Sequence, residues 1–229
     1  MFLPLLPFVC LVMGDLPSSA ARAPRDTSPN HLLVLVNKSN QTELDAGYQP
    51  DDLVDLDHRF MVYGHRGSLR KEAAAALSSM LIDVRRGRRS IRVRSAFRSY
   101  KTQGKVFRAK ILKYGERKAR SMSAEAGHSQ HQLGTTVDLT FRSNKWKFSQ
   151  SQPKTPAGRW LKKNAHRYGF VLSYPRGKRK LTGYIHEPWH YRYIGVAAAT
   201  EMYDRQMPLE SYLRVCSDES AELRCPSSQ

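Results

Sequence analysis

Two short stretches of this chain carry two imidazoles and two carboxylates at spacings that suit hydrolytic metal chemistry. The first is Ser129-Gln-His131-Gln-Leu-Gly134-Thr-Thr-Val-Asp138 and the second is Glu187-Pro188-Trp189-His190. His131, Asp138 and His190 supply three candidate ligands for a divalent ion, and Glu187 remains as a further carboxylate. A catalytic zinc centre has that inventory: three protein ligands, an open position, and a neighbouring base that takes a proton from water. A structural zinc usually closes its coordination with four protein ligands, so the spare Glu187 weighs toward catalysis. Taken singly, an Asp here would more simply pair with one of the many arginines, and a His would more simply be structural. The pair of motifs is what favours a metal.

Local sequence says how these groups are held. Thr135 to Phe141 alternates and is β-branched, which predicts a strand with Thr136, Asp138 and Thr140 on one face and Val137 and Leu139 on the other. Gly134 lets the backbone turn between His131 and that strand. Pro188 favours an extended Glu187 and removes a ladder donor, so a bend there brings Glu187 and His190 toward one cavity. Ile91 to Arg98 also alternates, with Ile91, Val93, Ser95 and Phe97 on one side and Arg92, Arg94, Ala96 and Arg98 on the other. Arg98 on that polar side is a candidate for stabilising an oxyanion or binding a substrate carboxylate, although spacing alone reads it as one more solvated arginine.

The remaining pattern predicts a buried strand over Leu32 to Val36 and a helix over 69–85 capped by Ser68 and ended by Gly87. A basic helix over 100–114 is expected to turn Phe107, Ile111 and Tyr114 inward. Thr155 and Pro156 open a helix that runs to Tyr168 and stops at Gly169. Further strands are expected over Phe170 to Tyr174, Thr182 to Ile185 and Trp189 to Ile194, with a last helix over 195–205. This order predicts an α+β fold: a single domain with a central antiparallel sheet flanked by helices.

At 229 residues the chain suits one domain with a proper core. Its 38 Lys and Arg against 20 Asp and Glu give a formal charge of +18. The excess is concentrated: residues 66 to 120 hold Glu72, Asp83 and Glu116 as their only acids, and no acid lies between Asp138 and Glu187. Such a field favours an anionic partner, whether nucleic acid, an anionic membrane surface or an acidic wall polymer. The apolar run Phe2 to Gly14, followed by Ala21-Arg22-Ala23, reads as an export signal over residues 1–23, with 24–30 as a linker. That places the protein in the periplasm, the cell wall or the extracellular space. Residues 31–213 form the expected domain. Residues 214–229 form a tail in which Cys216 and Cys225 are candidates for a disulfide. Asn37 and Asn40 fit glycosylation sequons, a weak pattern.

These residues resemble the VanY-type D-alanyl-D-alanine carboxypeptidases, zinc peptidases related in fold to VanX dipeptidases and the Hedgehog signalling domain. The family pattern SxHxxGxAxD is met at Ser129, His131, Gly134 and Asp138, and ExWH at Glu187, Trp189 and His190. The stretch from Ser95 through Arg98 to Gln103 is similar to the family's SGYRSxxxQ, and the likeness runs over about 32 to 213. Thr136 stands where Ala is usual, and Ala96-Phe97 where Gly-Tyr is common. The resemblance implies one zinc per chain held by His131, Asp138 and His190, with Glu187 as catalytic base. It also implies substrate contacts from Arg98 and, more weakly, from Gln103 and Ser129. The implied activity is removal of a C-terminal D-alanine from peptidoglycan stem peptides, with D,D- or L,D-specificity left open. A monomer that does not bind nucleic acid is expected. The rival reading is an exported basic module that binds an anionic wall polymer or nucleic acid around a structural zinc.

Overall fold

A computed structural model describes residues 28–39 and 42–217. Strands β1 (Leu53–Asp55) and β2 (Ser68–Arg70) pair antiparallel as a small separate sheet, and α1 (Lys71–Arg86) follows at once. The central sheet contains β3 (Ile91–Ser95), β4 (Thr136–Phe141), β5 (Phe170–Leu172) and β6 (His190–Tyr193). Its order is β3-β4-β6-β5, and every pairing is antiparallel. Helices α2 (Tyr100–Tyr114), α3 (Glu116–Met122), α4 (Pro156–Asn164), α5 (Arg179–Thr182), α6 (Val196–Asp204) and α7 (Leu209–Ser217) complete the described chain. The α+β expectation with an antiparallel sheet holds.

All six residues of β4 are buried, because both faces of this central strand are covered. On one face Val137, Leu139 and Phe141 join Tyr191, Tyr193 and Phe170. Against them pack Ala73, Leu77, Met80 and Val84 of α1 and Ala157 and Leu161 of α4. Burying each large aliphatic side chain stabilises the fold by about 1.5–3 kcal/mol. The α4 signal reads true: the Thr155 hydroxyl accepts from the Gly158 amide at 3.0 Å, Pro156 opens the helix, and a 3-10 turn over Ala165–Tyr168 ends at Gly169.

Several expectations are corrected. Ser68 does not cap α1. It pairs in β2 and its hydroxyl donates to Asp55 Oδ1 at 2.7 Å, so the helix starts later, at Lys71. Leu32 to Val36 is not a strand, although Leu33 and Val36 are buried. The carbonyls of Leu32 and Val34 accept from Arg192 Nη2 at 2.8 and 2.7 Å, so a guanidinium supplies what a neighbouring strand would have given. Thr182 closes α5 instead of opening a strand, and Gly183 follows it with φ +74°. Tyr114 points outward and is 37% exposed, and Ile111 is half-buried; Gln103 and Phe107 are the buried residues of α2.

Helix α7, unforeseen in the sequence, spans the point where the tail was placed and seats Leu209, Tyr212, Leu213 and Cys216 against Ile194 and Ala199. Cys216 is disulfide-bonded. Its expected partner Cys225, the export signal and Asn40 lie outside the described residues.

Candidate active site

The catalytic-type residues sit on the second face of the central sheet. Asp138 of β4 and His190 of β6 are directly paired across the ladder, and Thr136 pairs with Arg192 one step along. His131 enters from a 3-10 turn, Gln130–Leu133, that precedes β4. The Ser129 hydroxyl caps that turn by accepting from the His131 amide at 3.3 Å. Gly134 then takes φ +68°, a left-handed conformation that favours glycine, and a Cβ there would also press on the Leu53 side chain at 2.9 Å. The Glu187 amide donates to the Tyr174 carbonyl at 3.1 Å and the His190 amide to the Glu187 carbonyl at 3.0 Å. This is the bend expected at Pro188, and it sets Glu187 Oε2 3.8 Å from His190 Nδ1.

Strand β3 contributes through an irregularity that alternation could not reveal. Its register passes from Val93 opposite Leu139 to Ser95 opposite Asp138, with Arg94 as an extra residue. Such a bulge reverses the side-chain phase. Ser95 therefore leaves the core side and faces the site, while Ala96 becomes buried. Arg98, just beyond, donates from Nη2 to Ser95 Oγ at 2.8 Å and from Nη1 to Gln103 Oε1 at 2.6 Å, and Nη2 lies 3.8 Å from Asp138 Oδ2. Gln103 is itself fixed by donating to the Ala124 carbonyl at 2.5 Å. The guanidinium is thus oriented and not merely solvated.

His131, Asp138 and His190 present ligand atoms that all lie within 4.8 Å of one another, and all three residues are buried. The chemistry of this set fits a divalent cation. His131 Nδ1 donates to the Ala96 carbonyl at 2.7 Å, which leaves a lone pair on Nε2, 3.3 Å from Asp138 Oδ2. His190 Nε2 lies 3.2 Å from Gln130 Oε1, which leaves Nδ1 facing Asp138 Oδ1 at 3.2 Å. Asp138 Oδ1 is buried without a hydrogen-bond partner. Lone pairs converging on a carboxylate oxygen without a partner suit a cation between them. Burial, then the Arg98 charge, lowers the His131 pKa to about 4, so its imidazole is neutral as a ligand must be. Burial opposes the Asp138 charge, but the two imidazoles hold its pKa well below the usual carboxylate range. Glu187 behaves oppositely: burial, then repulsion from Asp138, raises its pKa to about 8.

These groups line a cleft of about 190 Å³ with Arg98, Gln103 and Ser129 on its wall. The structure therefore brings together all seven residues singled out from the sequence. It adds Gln130, whose Oε1 also accepts from Ser173 Oγ at 2.8 Å, and Tyr174, whose ring lies 4.7 Å from that of His190. Nothing in the sequence marks either one, because each acts through a contact made only in the fold. His128 and His186 bond the Asn37 and Tyr174 carbonyls at 3.0 Å.

Comparison with known proteins agrees with this geometry. Residues 66–196 match the VanY family, described as D-alanyl-D-alanine carboxypeptidase. The chain belongs to the VanY family. YodJ of Bacillus subtilis (strain 168) is 37% identical over 187 residues, which cover 81% of this chain and 68% of that protein. Among solved structures, the LdcB LD-carboxypeptidase superposes with a TM-score of 0.74 at 36% identity, covering 81% of this chain and 87% of its own. A variant of the vancomycin-resistance D,D-pentapeptidase VanY in complex with Zn(II) gives a TM-score of 0.65 at 28% identity, covering 79% and 98%. This VanY-family chain is accordingly a peptidase of the D-alanyl-D-alanine carboxypeptidase type, with a His, Asp and His cluster suited to zinc.

Proposed function

We propose that this protein is a zinc carboxypeptidase that removes a C-terminal D-amino acid from peptidoglycan stem peptides. One observation carries the reading: three converging ligand residues, with a separate buried carboxylate, Glu187, beside them. His131 Nε2, Asp138 and His190 Nδ1 would hold one zinc ion. When bound, zinc supplies a Lewis acid for the scissile carbonyl and lowers the pKa of water toward 7. Glu187 takes the proton of the attacking water and passes it to the leaving amine, so that water adds across the peptide bond and a free amino acid departs. Arg98, held by Gln103 and Ser95, meets the substrate's negative charge with a guanidinium already oriented. Both an LD- and a D,D-enzyme are among the similar structures, so the proposal spans both bonds. Such a substrate fits export of the protein, which N-terminal sequencing of the mature form would test.

The test is Glu187→Gln, assayed by mass spectrometry on tetrapeptide and pentapeptide stems. Loss of general-base catalysis should lower kcat by about 10²–10⁴-fold while zinc content stays at about one equivalent. A variant that cleaves at the wild-type rate removes Glu187 from its role. A wild type that cleaves neither stem favours the anion-binding module instead.

A further inference from the structure

Helix α2 has two distinct sides. Gln103, Val106 and Lys110 line the cleft. Lys101, Lys105, Arg108 and Leu112 recur at intervals of four, three and four residues, which places them in one line along the helix. At about 1.5 Å per residue the line is roughly 16 Å long. All four side chains are exposed, Leu112 by 88%. Lys113, Arg117 and Lys118 extend the charge onto α3 and are exposed as well.

No carboxylate balances this ridge. Glu116 of α3 and Glu125 of the loop after it are both bound by Arg120. Lys101, Lys105, Arg108, Lys113, Arg117 and Lys118 have no ion-pair partner among the described residues, whereas Lys110, on the cleft side, faces the charge of Glu187. Two of the ridge's ammonium groups, Lys113 and Lys118, lie 5.3 Å from the centre of the Tyr114 ring, with cleft-side Lys110 at 5.6 Å. Like charges at these helical spacings repel, so the arrangement gains only when an anion lies along it.

We propose that the α2–α3 ridge is a docking track for a linear phosphodiester polymer that shares the wall with the substrate; the polymer's identity rests on the stem-peptide reading above. The line on α2 carries three cations, Lys101, Lys105 and Arg108, about 5–6 Å apart at Cβ, which suits a chain of spaced charges better than a plane. A bilayer surface would call for an apolar band beside the cations, and the line itself carries only Leu112 at its tip, with Tyr114 beyond it covered by lysines. The other side of the same helix forms the cleft wall, so a polymer on the track holds the cleft beside the wall without touching the chemistry.

The experiment compares the wild type with Lys101→Glu/Lys105→Glu/Arg108→Glu and with the matching Gln substitutions. A control of equal charge change, Arg159→Glu/Lys162→Glu/Lys163→Glu, lies on and beside the sheet's other face, on α4. The probes are poly(glycerol phosphate) and vesicles of phosphatidylglycerol and phosphatidylcholine. The polymer should bind the wild type with strong salt dependence. Both ridge variants should weaken that binding about tenfold or more, and the Glu set should flatten the slope of log K against log salt by about 2, as for three contacts to a flexible polyanion. The α4 control should stay near wild type, and all forms should keep kcat/KM on a short soluble stem peptide. Three results would overturn the proposal: polymer binding indifferent to the ridge, equal loss in the α4 control, or tighter binding to vesicles that depends on Leu112. If stem peptides are not cleaved while the ridge still binds polymer, the catalytic reading fails and the track stands.

Discussion

On one face of the central sheet Val137, Leu139, Phe141, Tyr191 and Phe170 close against α1 and α4. On the other, Thr136, Asp138, Thr140, His190 and Arg192 are buried as deeply, between 0 and 6% exposed. The first face is apolar and needs no partners. The second carries orphaned polar atoms: Thr136 Oγ1, Asp138 Oδ1, and Nε and Nη1 of Arg192. An unpaired buried polar group costs about 1–3 kcal/mol, so the second face works against stability where the first supplies it. The difference separates what the sheet is for on each side. One face makes the fold, and the other uses the fold's rigidity to hold groups that water would otherwise solvate.

The largest contrast should come from two neighbours in β4. Leu139→Ala should destabilise the protein by about 2–5 kcal/mol, because it opens a cavity in the apolar face, while the folded fraction keeps its zinc and its turnover. Asp138→Asn should do the reverse. It should lose zinc and activity in a protein that still folds, and whatever stability the metal-free form loses comes from Arg98, 3.8 Å away, which keeps its buried charge without its counter-charge. Denaturant unfolding in the presence of a chelator, together with metal analysis, reads both. If each variant loses both properties, the faces are not separable.

The same contrast explains what the sequence could show. The apolar face follows from periodicity in α1, β4 and α4, where local pattern and tertiary packing agree. The site residues were legible because their types are chemically rare together. Their geometry was not, because it depends on interruptions. The bulge at Arg94 carries Ser95 to the site side and lets Arg98 be held there, yet the residues themselves alternate without a break. Leu32 to Val36 reads as a strand because its side chains are all apolar, but the carbonyls of Leu32 and Val34 are met by Arg192, 158 residues from Val34. Gln130 has no local signature at all. Its role exists only because β5 and β6 bring Ser173 and His190 to its side chain.

Gln130→Leu sharpens the comparison at intermediate size. The substitution keeps a similar volume but removes the oxygen that faces both His190 Nε2 and the Ser173 hydroxyl. His190 would then be free to choose its tautomer and rotate. Supports of this kind typically contribute 10–100-fold to metal affinity. Competition against a chelator of known strength should show a loss of that order, with coordination still possible at high zinc. Unchanged affinity would mean that packing by Tyr174 alone fixes the imidazole.

The smallest effect belongs to the scaffold side. Thr155→Ala removes the hydroxyl that caps α4 at the Gly158 amide. Loss of such a cap typically costs about 1 kcal/mol, and in a domain of this size that lowers Tm by about 2–4 °C. Helix α4 packs on the apolar face by way of Ala157, Leu161 and the half-buried Trp160. Its loosening should therefore leave zinc affinity and kcat where they were. Thermal unfolding and stem-peptide turnover, measured on the same preparation, should separate: a lower Tm with an unchanged rate. A fall in zinc affinity alongside Tm would show that strain crosses the sheet through β4, and the two faces would have to be treated as one mechanical unit.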